Sequence, residues 1–166
     1  FSENMQFCFQ KDVLRKEKTM ALRHMLRDDD LTHEEQKQVL KLGLAFRENR
    51  YLSRPFEGPH SVAVIFDKPS TRTRSSFATG VAELGGYPLV IDKEGSQLGR
   101  GEPVADTARV LTRMTSAIVW RTFGQDRVET MAHYATVPVV NALTDDFHPC
   151  QILADFCTIA LHKGGV

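Results

Sequence analysis

The segment Ser70-Thr71-Arg72-Thr73-Arg74 gathers hydroxyls and guanidiniums into one short turn. It follows the apolar run Ser61-Val62-Ala63-Val64-Ile65-Phe66 and opens a helical pattern through Phe77, Ala78, Val81 and Leu84. A strand feeding a helix through such a turn can trap an anion. The first N–H groups of a helix have no intrahelical partner, and the helix dipole places partial positive charge there. Hydroxyls can hydrogen-bond phosphate oxygens, and guanidiniums supply planar, permanently charged forks. The bland alternative is a capped helix with a solvated basic turn, which a lone Ser-Thr-Arg would favour. This density of donors at a helix start favours a phosphate cradle instead.

Further candidates follow the other apolar runs. Strand-like stretches are expected at 62–66, 88–91, 117–121 and 137–140, with helices at 71–84, 103–114, 125–134 and 149–161. Pro103 and Pro149 each suit a first helical turn. Such alternation predicts an α/β fold, an open parallel sheet with helices on both faces and right-handed crossovers. Ligands then bind at the carboxyl ends of the strands. There stand the cradle, the loop Ser96-Gln97-Leu98-Gly99-Arg100-Gly101-Glu102, Arg121, and Phe147-His148-Pro149-Cys150-Gln151. Nearly all of these are donors, and no carboxylate cluster suited to a metal accompanies them. Taken alone, Arg121 could snorkel from its strand end. A single His is more often structural, but His148 beside Pro149 at a helix start points to a site. Cys150 next to His148 lacks the geometry of a nucleophile–base dyad, since adjacent residues rarely aim at each other. Gln97 could be ordinary loop, and Trp120 reads as core.

Upstream, Thr32-His33-Glu34-Glu35 is a capping box, opening a scaffold helix to about Asn49 with Val39, Leu42 and Phe46 on one face. Residues 1–19 share no clear period with the rest. They lack the apolar core of a signal peptide and the character of a transit peptide, so they read as a non-native or disordered leader ahead of one domain at 20–166. The net charge is zero and the charged fraction 25%, which gives no footprint for nucleic acid or an acidic membrane surface. No apolar run reaches transmembrane length. Cys8, Cys150 and Cys157 make no disulfide framework or metal signature and fit a reducing cytoplasm. The chain has no G-x-x-x-x-G-K-[ST], so the cradle is not a nucleotide P-loop.

The motifs Ser70–Arg74, Ser96–Glu102, Asp106-Thr107-Ala108-Arg109-Val110-Leu111, Arg121-Thr122-Phe123 and Phe147-His148-Pro149-Cys150-Gln151-Ile152-Leu153-Ala154-Asp155 come in an order that resembles the aspartate/ornithine carbamoyltransferases. Gln97-Leu98-Gly99-Arg100 and His-Pro-Cys-Gln resemble the ornithine type. The resemblance covers about residues 22–162. One departure is Ala78, where the family often carries an acid.

What the resemblance implies is transfer of the carbamoyl group of carbamoyl phosphate to the δ-amine of ornithine, giving citrulline and phosphate in arginine biosynthesis. Ser70, Thr71, Arg72 and Thr73 would hold the phosphate. Arg121 and His148 would contact the carbonyl oxygen, with Thr73 assisting catalysis, and Gln151 would bind the carbamoyl amide. Gln97 would reach a neighbouring subunit's site in a homotrimer. No metal or other cofactor is implied. The partners are small molecules, carbamoyl phosphate and an amino-acid acceptor, with no nucleic acid and no membrane. The family's acceptor-binding domain is not within these 166 residues, so the chain alone is expected to be inactive. Two alternatives stand beside this reading. One is an inactive module binding phosphate or carbamoyl phosphate. The other is a carbamoyltransferase for another acceptor, such as aspartate or putrescine.

Overall fold

A computed structural model describes residues 22–58, 60–95 and 97–164. The expectations for residues 1–19 and for Cys8 lie outside the described residues. Strands β1 (Ser61–Phe66), β2 (Tyr87–Asp92), β3 (Ala117–Arg121) and β4 (Val139–Leu143) form one parallel sheet in the order β2-β1-β3-β4. Helices α1 (His33–Glu48), α2 (Thr71–Glu83), α3 (Val104–Leu111), α4 (Gln125–Tyr134) and α5 (Pro149–Lys163) precede, link and follow the strands. The α/β class and the parallel sheet are as expected.

Central strand β1 is buried from Val62 to Phe66, which is why it reads as an unbroken apolar run rather than an alternating one. Its side chains divide between two cores. Ala63 and Ile65 join Ile118, Trp120 and Val139 against Ala108 and Leu111 of α3 and Val128 and Met131 of α4. Val62, Val64 and Phe66 join Val119 and Ala142 against Val81 of α2. Because β2 and β3 lie on opposite sides of β1, the chain changes direction between β1 and β3. The carboxyl ends of those two strands flank the crevice where such sheets take ligands.

Element ends depart from the sequence expectations in informative places. Strand β4 lies two to three residues later than the expected 137–140. Pro138 can offer the ladder only its carbonyl, which accepts from Ile118 N–H, and the strand continues through the polar Asn141 because that side chain finds buried partners. Helix α3 stops at Leu111, with Thr112 as its C-cap, rather than at Met114. Pro103 is its N-cap rather than its first helical residue, whereas Pro149 does begin α5. Helices α2 and α4 and strand β3 match their expected spans to within one residue. Gly85, at φ 90°, turns the chain from α2 into β2 where a side chain would be strained.

Helix α1 carries the expected capping box. Its expected apolar face is not buried: Val39 is 39% exposed and Leu42 50%. The helix packs beside α5, where a Cβ on Gly43 would come within 3.3 Å of Cys157 Sγ. The segment before α1 was not expected in the sheet. Met25 pairs with Val140 in parallel, its N–H reaching Val139 O at 2.9 Å and its carbonyl accepting from Asn141 N–H at 2.8 Å.

Candidate active site

Helix α2 starts with Ser70 as N-cap in an extended conformation, and the Ser70 side chain makes no capping hydrogen bond. No acidic residue stands in its first turn. The N–H groups there are thus neither capped by the serine nor countered by a local carboxylate. The hydroxyl turns instead to the end of β3. Arg121 Nη1 donates to Ser70 Oγ at 3.1 Å and to Thr73 Oγ1 at 3.2 Å. The structure therefore joins residues 51 and 48 positions apart, as the sheet order requires. Arg121 Nε is buried without a hydrogen-bond partner, and so is His148 Nδ1. An unpaired buried polar group costs about 1–3 kcal/mol, so two beside one cradle call for an explanation in function.

His148 is the N-cap of α5, again without a side-chain capping bond and without an acid in the first turn. Burial pushes its pKa below the ordinary value, and the nearby Arg121 charge pushes the same way against Asp28 and Asp155. The imidazole is held towards its neutral form, able to donate from one nitrogen and accept at the other. Gln151 sits one turn into α5, exposed, with Nε2 donating to Asp155 Oδ1 at 2.8 Å. Cys150 is a poor nucleophile: burial pushes its thiol up to about 11, and the thiol contacts Asn141 O at 3.5 Å.

The remaining expected residues divide. Thr71 and Arg72 are exposed on the first turn of α2. A cavity of about 610 Å³ beside the cradle is lined by Lys68, Arg74 and Lys93, by the carboxylates of Asp67, Asp92 and Glu94, and by Ser70 and Thr71 among others. Arg74 pairs with Asp92 at the end of β2, which supplies the counter-charge that Ala78 does not. Gln97 is exposed in the short 3-10 turn Gln97–Arg100 and takes no part in the hydrogen bonds joining Ser70, Thr73 and Arg121. Ser96 lies outside the described residues.

Polar residues immediately beyond the strands were missed. Asp67, after β1, is 6% exposed and accepts from the Thr122 hydroxyl at 2.6 Å and from Arg127 Nη2 at 3.3 Å. Its backbone N–H donates to Arg121 O at 2.9 Å, so this cluster holds the strand end that carries the site arginine. Arg127 also lies over the Trp120 ring at 5.1 Å. Asn141, buried within β4, and Thr144, just beyond it, shape the turn to His148, next to Leu143 at φ 146°. Such a backbone costs an L-residue on the order of 1–3 kcal/mol. A sequence signal existed for Asp67, Thr122, Asn141 and Thr144: each is a small polar residue at or just past the end of an apolar run.

A parallel α/β domain with donors converging at its switch point, and two helix starts there with neither a side-chain cap nor a first-turn acid, is an arrangement suited to an oxyanion. Residues 23–160 match the aspartate/ornithine carbamoyltransferase, carbamoyl-P binding domain, and the chain belongs to that family. Among curated relatives, the ornithine carbamoyltransferase of Bifidobacterium longum subsp. infantis is 78% identical over 148 residues, which is 89% of this chain and 46% of the relative. The chain thus spans about half the length of the curated relatives it matches. Among solved structures, the ornithine carbamoyltransferase from Pyrococcus furiosus is 45% identical with a TM-score of 0.79, over 89% of this chain and 48% of that one. A mutant N-acetyl-L-ornithine transcarbamylase, complexed with carbamyl phosphate and N-succinyl-L-norvaline, is 31% identical with a TM-score of 0.77, over 87% of this chain and 49% of that one.

Proposed function

We propose that residues 20–166 form the carbamoyl phosphate-binding half of an ornithine carbamoyltransferase of arginine biosynthesis. That enzyme acts in the cytoplasm as a homotrimer whose acceptor-binding domain lies outside these residues. The observation that carries the reading is the bridge from Arg121 to Ser70 and Thr73, with Arg121 Nε and His148 Nδ1 left unpaired beside it. Phosphate oxygens take the N–H groups and hydroxyls of Ser70, Thr71 and Thr73, with Arg72 as a further cation. The carbamoyl group then lies towards Arg121 and His148. Gln151 spends one amide N–H on Asp155 and keeps its carbonyl oxygen for the carbamoyl NH2. Gln97, exposed after β2, is free of the cradle's own hydrogen bonds and suits a site on a neighbouring subunit.

The reaction is direct acyl transfer. The neutral δ-amine of ornithine attacks the carbamoyl carbon, and negative charge develops on the carbonyl oxygen. Arg121, His148 and the Thr73 hydroxyl stabilise that charge where it forms; the C–O bond to phosphate then breaks, and phosphate leaves on the donors that already hold it, taking up the proton that the attacking amine gives up. Membership of one fold does not choose the acceptor, since a similar domain serves an enzyme named for N-acetyl-L-ornithine. The choice of ornithine follows the high identity to the Bifidobacterium longum relative.

Calorimetric titration of the chain with carbamoyl phosphate and with inorganic phosphate tests the reading. Recognition of the carbamoyl end by Arg121, His148 and Gln151 should favour carbamoyl phosphate by about tenfold or more, which is about 1.4 kcal/mol. Equal affinity would leave only a phosphate-binding module.

A further inference from the structure

The turn that delivers His148 is held by buried groups to which the proposed reaction gives no role. Asn141 in β4 is 0% exposed, Thr144 just beyond it 2%, and Gln125 at the start of α4 9%. The Thr144 hydroxyl has a single proton, and the 2.8 Å contact to Gln125 Oε1 takes it. Thr144 Oγ1 then accepts the Phe147 N–H at 3.1 Å. The Phe147 carbonyl accepts in turn from the Thr144 N–H at 3.0 Å and from Asn141 Nδ2 at 3.3 Å. That carbonyl belongs to the peptide unit entering His148.

Two anchors hold this set in place. Asn141 Nδ2 and Gln125 Nε2 donate to Leu26 O at 2.8 and 3.3 Å, tying β4 and α4 to the segment that pairs beside β4. Asn141 Oδ1 accepts from Leu143 N–H at 2.9 Å and so supports the strained backbone there. Apolar side chains could fill the same space at no cost in desolvation. The polar set instead ends on the peptide of His148, whose Nδ1 stays buried and unpaired near Arg121.

We infer that Thr144 is a positioning residue: with Gln125 and Asn141 it fixes the Phe147–His148 peptide, and so holds the His148 imidazole beside Arg121 with Nδ1 unspent. The inference deepens the carbamoyl phosphate reading and rests on it for what the imidazole recognises.

Thr144→Val keeps the side-chain shape and removes the hydroxyl, and Thr144→Ser restores the hydroxyl. Gln125→Met removes the hydroxyl's acceptor from the other side and decides the matter if Thr144→Val does not fold. Imidazole NMR titration of the ligand-free chain reads the placement of His148. The groups facing it are Arg121, which opposes protonation, and Asp28 and Asp155, which favour it. His148 should titrate below its ordinary value in the wild type and in Thr144→Ser, and nearer to 6.5 in Thr144→Val and Gln125→Met. Unchanged titration in both altered chains overturns the inference.

Calorimetry adds the functional arm. Thr144→Val should lose about tenfold in carbamoyl phosphate affinity while inorganic phosphate stays within about twofold, and Thr144→Ser should recover the loss. Equal loss for both ligands would mean general loosening rather than positioning, and would overturn it as well. A wild-type chain that does not prefer carbamoyl phosphate would sink the transferase reading, while the NMR arm still decides the role of Thr144.

Discussion

Helix α1 begins with its backbone donors spent, and helix α2 begins with them kept. At α1, the Thr32 hydroxyl accepts from Glu35 N–H at 3.3 Å, and Glu35 Oε2 accepts from Thr32 N–H at 2.9 Å. Glu34 and Glu35 add negative charge to the first turn, and Arg23 closes the outside by donating to Glu35 Oε1 at 2.7 Å. At α2 the same position holds Ser70, whose hydroxyl accepts from Arg121 instead of capping, and the first turn contains Arg72 and no acid. Local sequence satisfies the first helix. The second depends on groups brought by the sheet from far along the chain. The difference teaches that scaffold and site can share one element type and differ in where the termini find their partners.

The sharpest way to break this comparison is to give α2 an acid of its own. Ser70→Asp places a carboxylate at the N-cap, where it accepts the helix N–H groups and pairs with Arg121. Phosphate and carbamoyl phosphate affinity should then fall on the order of a hundredfold, which is about 2.7 kcal/mol. The helix should gain stability by about 0.5–2 kcal/mol from the new cap. Calorimetry paired with thermal melting checks both signs. Retained binding within about tenfold would mean that the anion does not sit on this helix start.

The opposite substitution, Thr32→Ala, removes the cap from α1. It should cost about 1 kcal/mol in denaturant unfolding and leave phosphate affinity unchanged, because the side-chain hydrogen bonds of Thr32 run to Glu35 and not to the cradle. A change in affinity would show the two helix starts to be coupled, contrary to the comparison.

The same contrast explains how much could be read from the residues in order. The capping box of α1 is entirely local, so Thr32 and Glu35 announce it. The cradle is local too, and Arg121 and His148 fall at strand ends that the alternation of apolar runs makes visible. What stayed hidden depends on neighbours distant in sequence. The bridge from Arg121 to Thr73, the pairing of Arg74 with Asp92 and the joining of Met25 to β4 all require the sheet order first. Strand β4 is expected too early because Asn141 looks like the end of an apolar run, and only its buried partners show that it is not. For α1 the periodicity tells which side is apolar, with Val39, Leu42 and Phe46 on one face, but not what covers it. Val39 and Leu42 remain exposed among the described residues.

The smallest effect, and the one that divides the helix starts most cleanly, is in pH. Arg23 and the Thr32 groups hold the Glu35 carboxyl at about 2, below its ordinary 4.5. A depressed carboxyl contributes stability above its unfolded value, and that contribution fades as pH falls from about 4.5 towards 2. His148 is depressed by burial and by Arg121, so the unfolded chain takes up a proton near 6.5 before the folded one does. Stability therefore begins to fall as pH drops through about 6.5, and His24, also depressed by burial, adds to the same window. Denaturant unfolding followed against pH should show two separate declines. Glu35→Gln should flatten the lower decline and leave the upper, while His148→Gln should shrink the upper and leave the lower. If Glu35→Gln altered only the upper decline, the carboxyl at α1 would not be the group that its capping box protects.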